Sequence, residues 1–179
     1  MRIYGEPAEL RGVQDTLLLD WWQGMVISGE IGDVFGPGCL ELSTFMAAMQ
    51  WPTRLMFETD ENGKIWIAAW LDPAPFAGAF LGLWIAKEKR LSRETWVTVL
   101  EVLHAALHPD TGHPIVIVVT HDERVAHLHR HFGFERAGVI PKMVWGKDLT
   151  INYLDRELLA AASAHFKDSP WAPLLATSH

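Results

Sequence analysis

One cysteine, Cys39, in 179 residues leaves no intrachain disulfide and no multi-cysteine zinc site to hold the fold. Its apolar neighbours mark it as a small buried residue rather than a reactive thiol. Basic clusters are missing as well. The chain has 15 Lys and Arg against 22 Asp and Glu, a net charge of −7 and a pI near 5.7. Proteins that grip phosphate backbones carry a basic stripe, so no nucleic-acid partner is expected. Long apolar runs are also absent. Residues 65–86 come nearest, but Asp72, Pro73 and Pro75 cut them into pieces shorter than the ~20 residues a membrane span needs. The first residues, Met1-Arg2-Ile3-Tyr4-Gly5-Glu6, form no apolar leader. The expectation is a soluble cytoplasmic protein with no membrane partner. Repeats and low-complexity tracts are lacking too.

What remains is ordinary globular composition with one excess. Hydrophobic residues make up 49% and charged residues 21%, enough to bury one sizeable core. The length suits one domain, expected over 1–168, with Ser169, Pro170 and Pro173 starting an irregular tail over 169–179. Nine tryptophans are many, and large rings serve cores and ligand clefts alike.

Along the chain, Asp15 can cap a helix that runs through Trp22 and stops near Gly24. A glycine-rich loop with Gly32, Gly36 and Gly38 follows, then a short helix over 40–50. Residues 54–59 and 65–71 read as strands joined by the Asp60-Glu61-Asn62-Gly63 turn, and 77–85 as a third antiparallel strand. Residues 94–107 place Trp96, Val99, Leu100, Leu103 and Leu107 at helical spacing. The β-branched run 115–119 suits a strand buried on both faces. A helix over 122–132 ends at Gly133, where glycine can take a left-handed cap. Strands over 134–143 and 144–154 and a helix over 158–166 complete the pattern.

That order, together with residues 118–138, resembles the GNAT acyltransferase superfamily over roughly residues 25–155. Members often end with Asn-x-x-Ala-x-x-x-Tyr-x-x-x-Gly-Phe-x-x-x-Gly after a strand. Here Gly133, Phe134 and Gly138 match and Leu128 keeps a usual leucine, while Asp122, Val125 and His129 replace the asparagine, alanine and tyrosine. The resemblance implies an α/β fold with a mixed β-sheet: an antiparallel meander, a crossover helix, splayed central parallel strands and flanking helices. It implies N-acetyl transfer from acetyl-CoA to a small-molecule or protein amine by direct attack on the thioester, and it allows a homodimer. The family's cofactor site would fall on Leu83, Trp84 and Ile85 at the end of the third strand, on Arg90, Ser92, Arg93, Glu94 and Thr95 at the next helix, and on Asp122. The family's pyrophosphate loop is glycine-rich, whereas residues 87–96 contain none. Ser92 is a natural N-cap and Arg90 and Arg93 supply charge, so an anion can still bind there. In this departure the chain also resembles divergent GNAT-like proteins of phage and prophage origin. A second function class follows from it: a non-catalytic GNAT-fold binding or structural protein that has lost the cofactor loop.

Helical geometry puts Val125, Leu128 and Phe132 on one face, with His129 and Asp122 on its flank and His127 and His131 pointing away. His129 stands where the family's general-acid tyrosine would be, and an imidazolium could donate the same proton. Packing on the helix edge is the plainer reading. Glu58 could serve as general base for the amine, against a plain edge-strand carboxylate in water. His127 and His131, four apart, have no identifiable third ligand and read as solvent-facing, so no metal site is expected. Trp66, Trp70 and Trp84 could wall a substrate site, but core packing is their default. No serine has a Gly-x-Ser-x-Gly context, so a serine hydrolase is not supported.

Overall fold

A computed structural model describes residues 2–5, 11–50, 52, 54–90, 92–110, 112–144 and 146–167. The tail expected over 169–179 lies outside the described residues. The chain falls into two compact units, Met1–Pro73 with Gly82–Arg90 and Ala74–Leu81 with Leu91–His179.

The first unit holds β1 (Arg2–Gly5), α1 (Arg11–Ser28), α2 (Ile31–Phe35), α3 (Leu42–Ala48), β2 (Arg54–Thr59), β3 (Ile65–Pro73) and the end of β4 (Ala79–Ile85). Strand β2 has the expected bounds, and the expected turn joins it to β3. Gly63 takes φ 77°, and the Asp60 carboxylate accepts from the N–H groups of Asn62 and Lys64 at 2.9 and 2.8 Å. Two expectations need correcting. Strand β1 pairs antiparallel with β2, Arg2 opposite Glu58, so β2 is flanked on both sides and Glu58 is not on an edge. The glycine-rich stretch is not a plain loop either; it contains α2, because Ile31 and Phe35 each have a core to enter.

That core is built from rings. Trp21, 1% exposed, meets Phe35, Phe45 and Phe57 edge to face at centroid distances of 5.4, 5.4 and 5.6 Å. Trp70 and Trp84 lie at 5.7 and 6.1 Å from it. The indole N–H groups of Trp21 and Trp84 are buried without an oxygen or nitrogen partner among the described residues. Trp70 lies flat against Gly82, where a Cβ would come within 1.9 Å of the indole. Any larger residue at 82 would evict that ring. Trp66, Trp70 and Trp84 are all buried, so the default reading as core holds.

The second unit holds the start of β4, α4 (Arg93–Ala106), β5 (Ile115–Thr120), α5 (Glu123–His131), β6 (Glu135–Val144), β7 (Lys147–Asp155) and α6 (Arg156–Lys167). Strand β4 runs parallel to β5, with Ala79 opposite Val116 and Phe80 opposite Ile117, and α4 is the crossover between them. Among the described residues the pairing of these two strands takes in these two positions. Strand β7 pairs antiparallel with both β5 and β6. The hydrogen-bonded order is β1-β2-β3-β4-β5-β7-β6, a mixed seven-stranded sheet. Among the described residues no helix is long and apolar enough to cross a membrane.

Helix α4 buries Val99, Leu100, Leu103 and Leu107, and Trp96 stacks on Phe132 at 4.8 Å. Helix α5 ends as its glycine foretells. Gly133 takes φ 88°, its N–H donates to Arg130 O, and the Phe134 N–H donates to His129 O. Those two bonds form a Schellman cap. A Cβ at Gly133 would also come within 2.8 Å of Ala162 Cβ on α6. The apolar face of α5 is rotated from the expected one. Ala126 and Phe132 are buried, whereas Val125 and Leu128 are 37% and 40% exposed. The close approach at Gly133 holds α5 so that small Ala126, not the two larger side chains, faces inward.

Candidate functional site

The expected site residues divide between the units. Glu58, Leu83, Trp84, Ile85 and Arg90 belong to the first; Ser92, Arg93, Glu94, Thr95, Asp122 and His129 belong to the second.

In the first unit, Leu83 and Ile85 are half-buried and Trp84 is committed to the aromatic core. Glu58 sits half-buried in the middle of the β1-β2-β3 ladder. Arg90 follows a short 3₁₀ turn over Lys87–Lys89. Its Nε donates to Ile85 O at 3.0 Å and its Nη2 pairs with Glu30 Oε1. Glu30 is 5% exposed, and its Oε2 accepts from Ser28 Oγ at 2.9 Å. Both oxygens of this buried carboxylate are therefore satisfied, as burial of a charge demands. The neighbouring cations are likewise engaged. Lys87 Nζ donates to Ser28 O at 3.3 Å, and Lys89 lies over the Trp66 ring at 5.4 Å. Sequence reasoning missed Glu30, and nothing local to Gly29-Glu30 signals a partner sixty residues away.

In the second unit, Ser92 caps α4 as expected. Its Oγ accepts from the Thr95 N–H at 3.2 Å and shares a hydrogen bond with Thr95 Oγ1 at 2.8 Å. The half-buried Ser92 hydroxyl thus lies against buried Thr95, beside exposed Arg93 and Glu94. Asp122 caps α5. Its Oδ1 accepts from the Arg124 N–H at 2.8 Å, and the Arg124 guanidinium grips both carboxylate oxygens at 3.1 and 2.7 Å. That grip holds the Asp122 pKa down to about 2.

His129 is half-buried, with its ring 5.5 Å from Phe134. Its Nδ1 lies 3.3 Å from Nδ2 of Asn152, itself 1% exposed. Burial lowers the His129 pKa to about 4, so the ring is neutral near pH 7. An amide NH₂ has only protons to offer an imidazole nitrogen, so Nδ1 accepts and the ring proton resides on Nε2. Asn152 was legible in principle. Thr150, Asn152 and Leu154 alternate along β7 on its buried face, and a polar residue there needs a partner.

No family model matches the chain, and no curated protein matches it in sequence. Solved structures match its fold. A crystal structure with the provisional name of a phosphinothricin N-acetyltransferase superposes with a TM-score of 0.60 over 87% of this chain and 97% of its own, at 18% identity. A mutant spermidine N-acetyltransferase from Vibrio cholerae gives 0.54 over 62% and 69%, at 14% identity. The spermidine/spermine N-acetyltransferase of the same organism, in complex with manganese ions, gives 0.53 over the same shares, also at 14%. The chain has the GNAT fold.

Proposed function

We propose that the protein is an acyl-CoA-dependent N-acetyltransferase. What supports this is the parallel β4–β5 pairing, which among the described residues takes in Ala79 and Phe80, with the backbone of 82–85 read as free to pair with a ligand. An open strand edge takes an extended chain of amides as it would take another strand. The amide-bearing arm of acetyl-CoA fits such an edge at Leu83, Trp84 and Ile85. The first turn of α4 fits its pyrophosphate by different means from the glycine-rich loop of the family. The Ser92 hydroxyl, the Arg93 side chain and the helix dipole take the place of close backbone approach in this reading, with Thr95 holding the Ser92 hydroxyl. Arg90 contributes by holding the turn to Glu30 and the β4 end, and Asp122 by capping α5.

In the transfer the acceptor nitrogen attacks the thioester carbonyl carbon. A C–N bond forms, the C–S bond breaks, the amine gives up one proton to its base, and CoA leaves as a thiolate that takes its proton from water. Glu58 is the proposed base for the amine. His129, neutral with its proton on Nε2, serves the sulfur as a hydrogen-bond donor rather than as the imidazolium foreseen from sequence. An amine acceptor suits the net negative charge, and the polyamine and phosphinothricin names of the structural relatives point the same way. Thiol release from acetyl-CoA with a panel of amines tests the reading. His129→Phe should lower turnover ~10²-fold while leaving acetyl-CoA affinity nearly unchanged. Full turnover in that variant would return His129 to packing.

A second reading, a non-catalytic GNAT-fold binding protein, is favoured by one observation. Residues 87–96 lack glycine, and Lys87, Lys89 and Arg90 are all engaged within the protein. Binding of acetyl-CoA separates the two.

A further inference from the structure

Helix α5 carries an arrangement that the acyltransfer reading does not use. His127 and His131 sit one turn apart, both exposed. Their spacing alone suggests two independent solvent-facing rings, but the rings turn toward each other. Nε2 of one lies 3.1 Å from Nε2 of the other, with ring centroids 4.8 Å apart. We propose that this pair is a binding site for a borderline divalent transition-metal ion, with Zn²⁺ and Ni²⁺ as probes.

The geometry carries the proposal. Imidazole nitrogens bind such ions at ~2.0–2.1 Å, so two ligands 3.1 Å apart subtend about 100° at the metal. That angle lies between the octahedral and tetrahedral values. The helix backbone already holds both rings at chelating separation, so little ordering entropy opposes binding. Imidazole also suits zinc, nickel and copper as a ligand. Among the described residues no cluster of three or more His, Cys, Asp or Glu could hold a metal, so the site takes these two imidazoles as its protein ligands.

Arg130 sets a condition on the site. Its Nη2 lies 3.0 Å from His127 Nδ1 and can only donate there. The proton of neutral His127 therefore sits on Nε2, shared with His131. A metal takes Nε2 only when that proton has moved to Nδ1, which requires the Arg130 guanidinium to turn away. Arg130 thus opposes the ion both by tautomer and by charge.

Calorimetric titration of the full chain with ZnCl₂ and with NiCl₂ tests this independently of any acyltransferase activity. One ion per chain should bind, and His127→Asn and His131→Asn should each weaken binding at least ~10-fold, or about 1.4 kcal/mol. Both positions are solvent-exposed, and unchanged melting curves without metal will show that the variants fold. Arg130→Gln should tighten binding. Absence of one-to-one binding up to millimolar metal would overturn the site. So would an affinity unchanged in either histidine variant, or an Arg130→Gln variant that binds equally or more weakly.

Discussion

The two units are held by different means. In the first, neither α2 nor α3 has a side-chain cap, and cohesion comes from five rings around Trp21. In the second, every helix start has one: Ser92 for α4, Asp122 for α5, and Asp155, whose Oδ1 accepts from the Leu158 N–H at 2.9 Å, for α6. Caps are local and direct a helix from its own sequence. Ring packing is nonlocal and lets short, weak helices form only once the core exists. The unit that carries His129 is therefore the one whose elements are specified residue by residue.

Substitutions can break this contrast. Trp21→Ala should have the largest effect, costing about 3–5 kcal/mol through lost burial and a residual cavity. Hydrogen exchange should show the loss first in the amides of α1 to α3. Equal acceleration in α4 and α5 would deny that the rings support chiefly the first unit.

Acid should act on the second unit. His129 has a folded pKa of about 4 against a reference of 6.5, so the unfolded chain binds the proton more tightly. Its contribution is fully present above pH 6.5 and is lost as pH falls toward 4, up to about 3 kcal/mol in all. Denaturant titrations across that window should show the decline, and His129→Phe should flatten it. An unchanged slope would place the ring in water.

Gly133→Ala forces a side chain into φ 88° and toward Ala162, which should cost about 2 kcal/mol. Ser92→Ala removes only a cap and should cost about 1 kcal/mol, read from the shift of the denaturation midpoint. A Ser92 variant costing more than the Gly133 variant would reverse the ranking of local signals.

The same contrast explains what the sequence discloses. The bounds of β2, the crossover α4, the cap at Ser92 and the glycine stop of α5 rest on short-range periodicity, caps and turns. All are legible within a few residues. Strand β1 and helix α2 are not, since each exists because of partners far along the chain, such as Glu58 opposite Arg2 or Phe35 against Trp70. The inward face of α5 was displaced for a like reason, the approach of Gly133 to Ala162 on α6. At the site, Ser92 and Asp122 could be read as caps and His129 as half-buried. Its neutrality depends on burial, and the engagement of Arg90 depends on Glu30; neither is encoded nearby.

The proposed function stands on the binding of an acyl-CoA. The melting temperature of the full chain with and without acetyl-CoA tests it most directly. At a hundredfold excess over Kd, a ligand of the native state adds ~2.7 kcal/mol, a rise of several degrees for a chain of this size. The account predicts that rise, and a smaller one in Arg93→Ala. An unchanged melting temperature at millimolar acetyl-CoA, and with longer acyl-CoAs, would contradict the acyltransferase reading and leave only the fold.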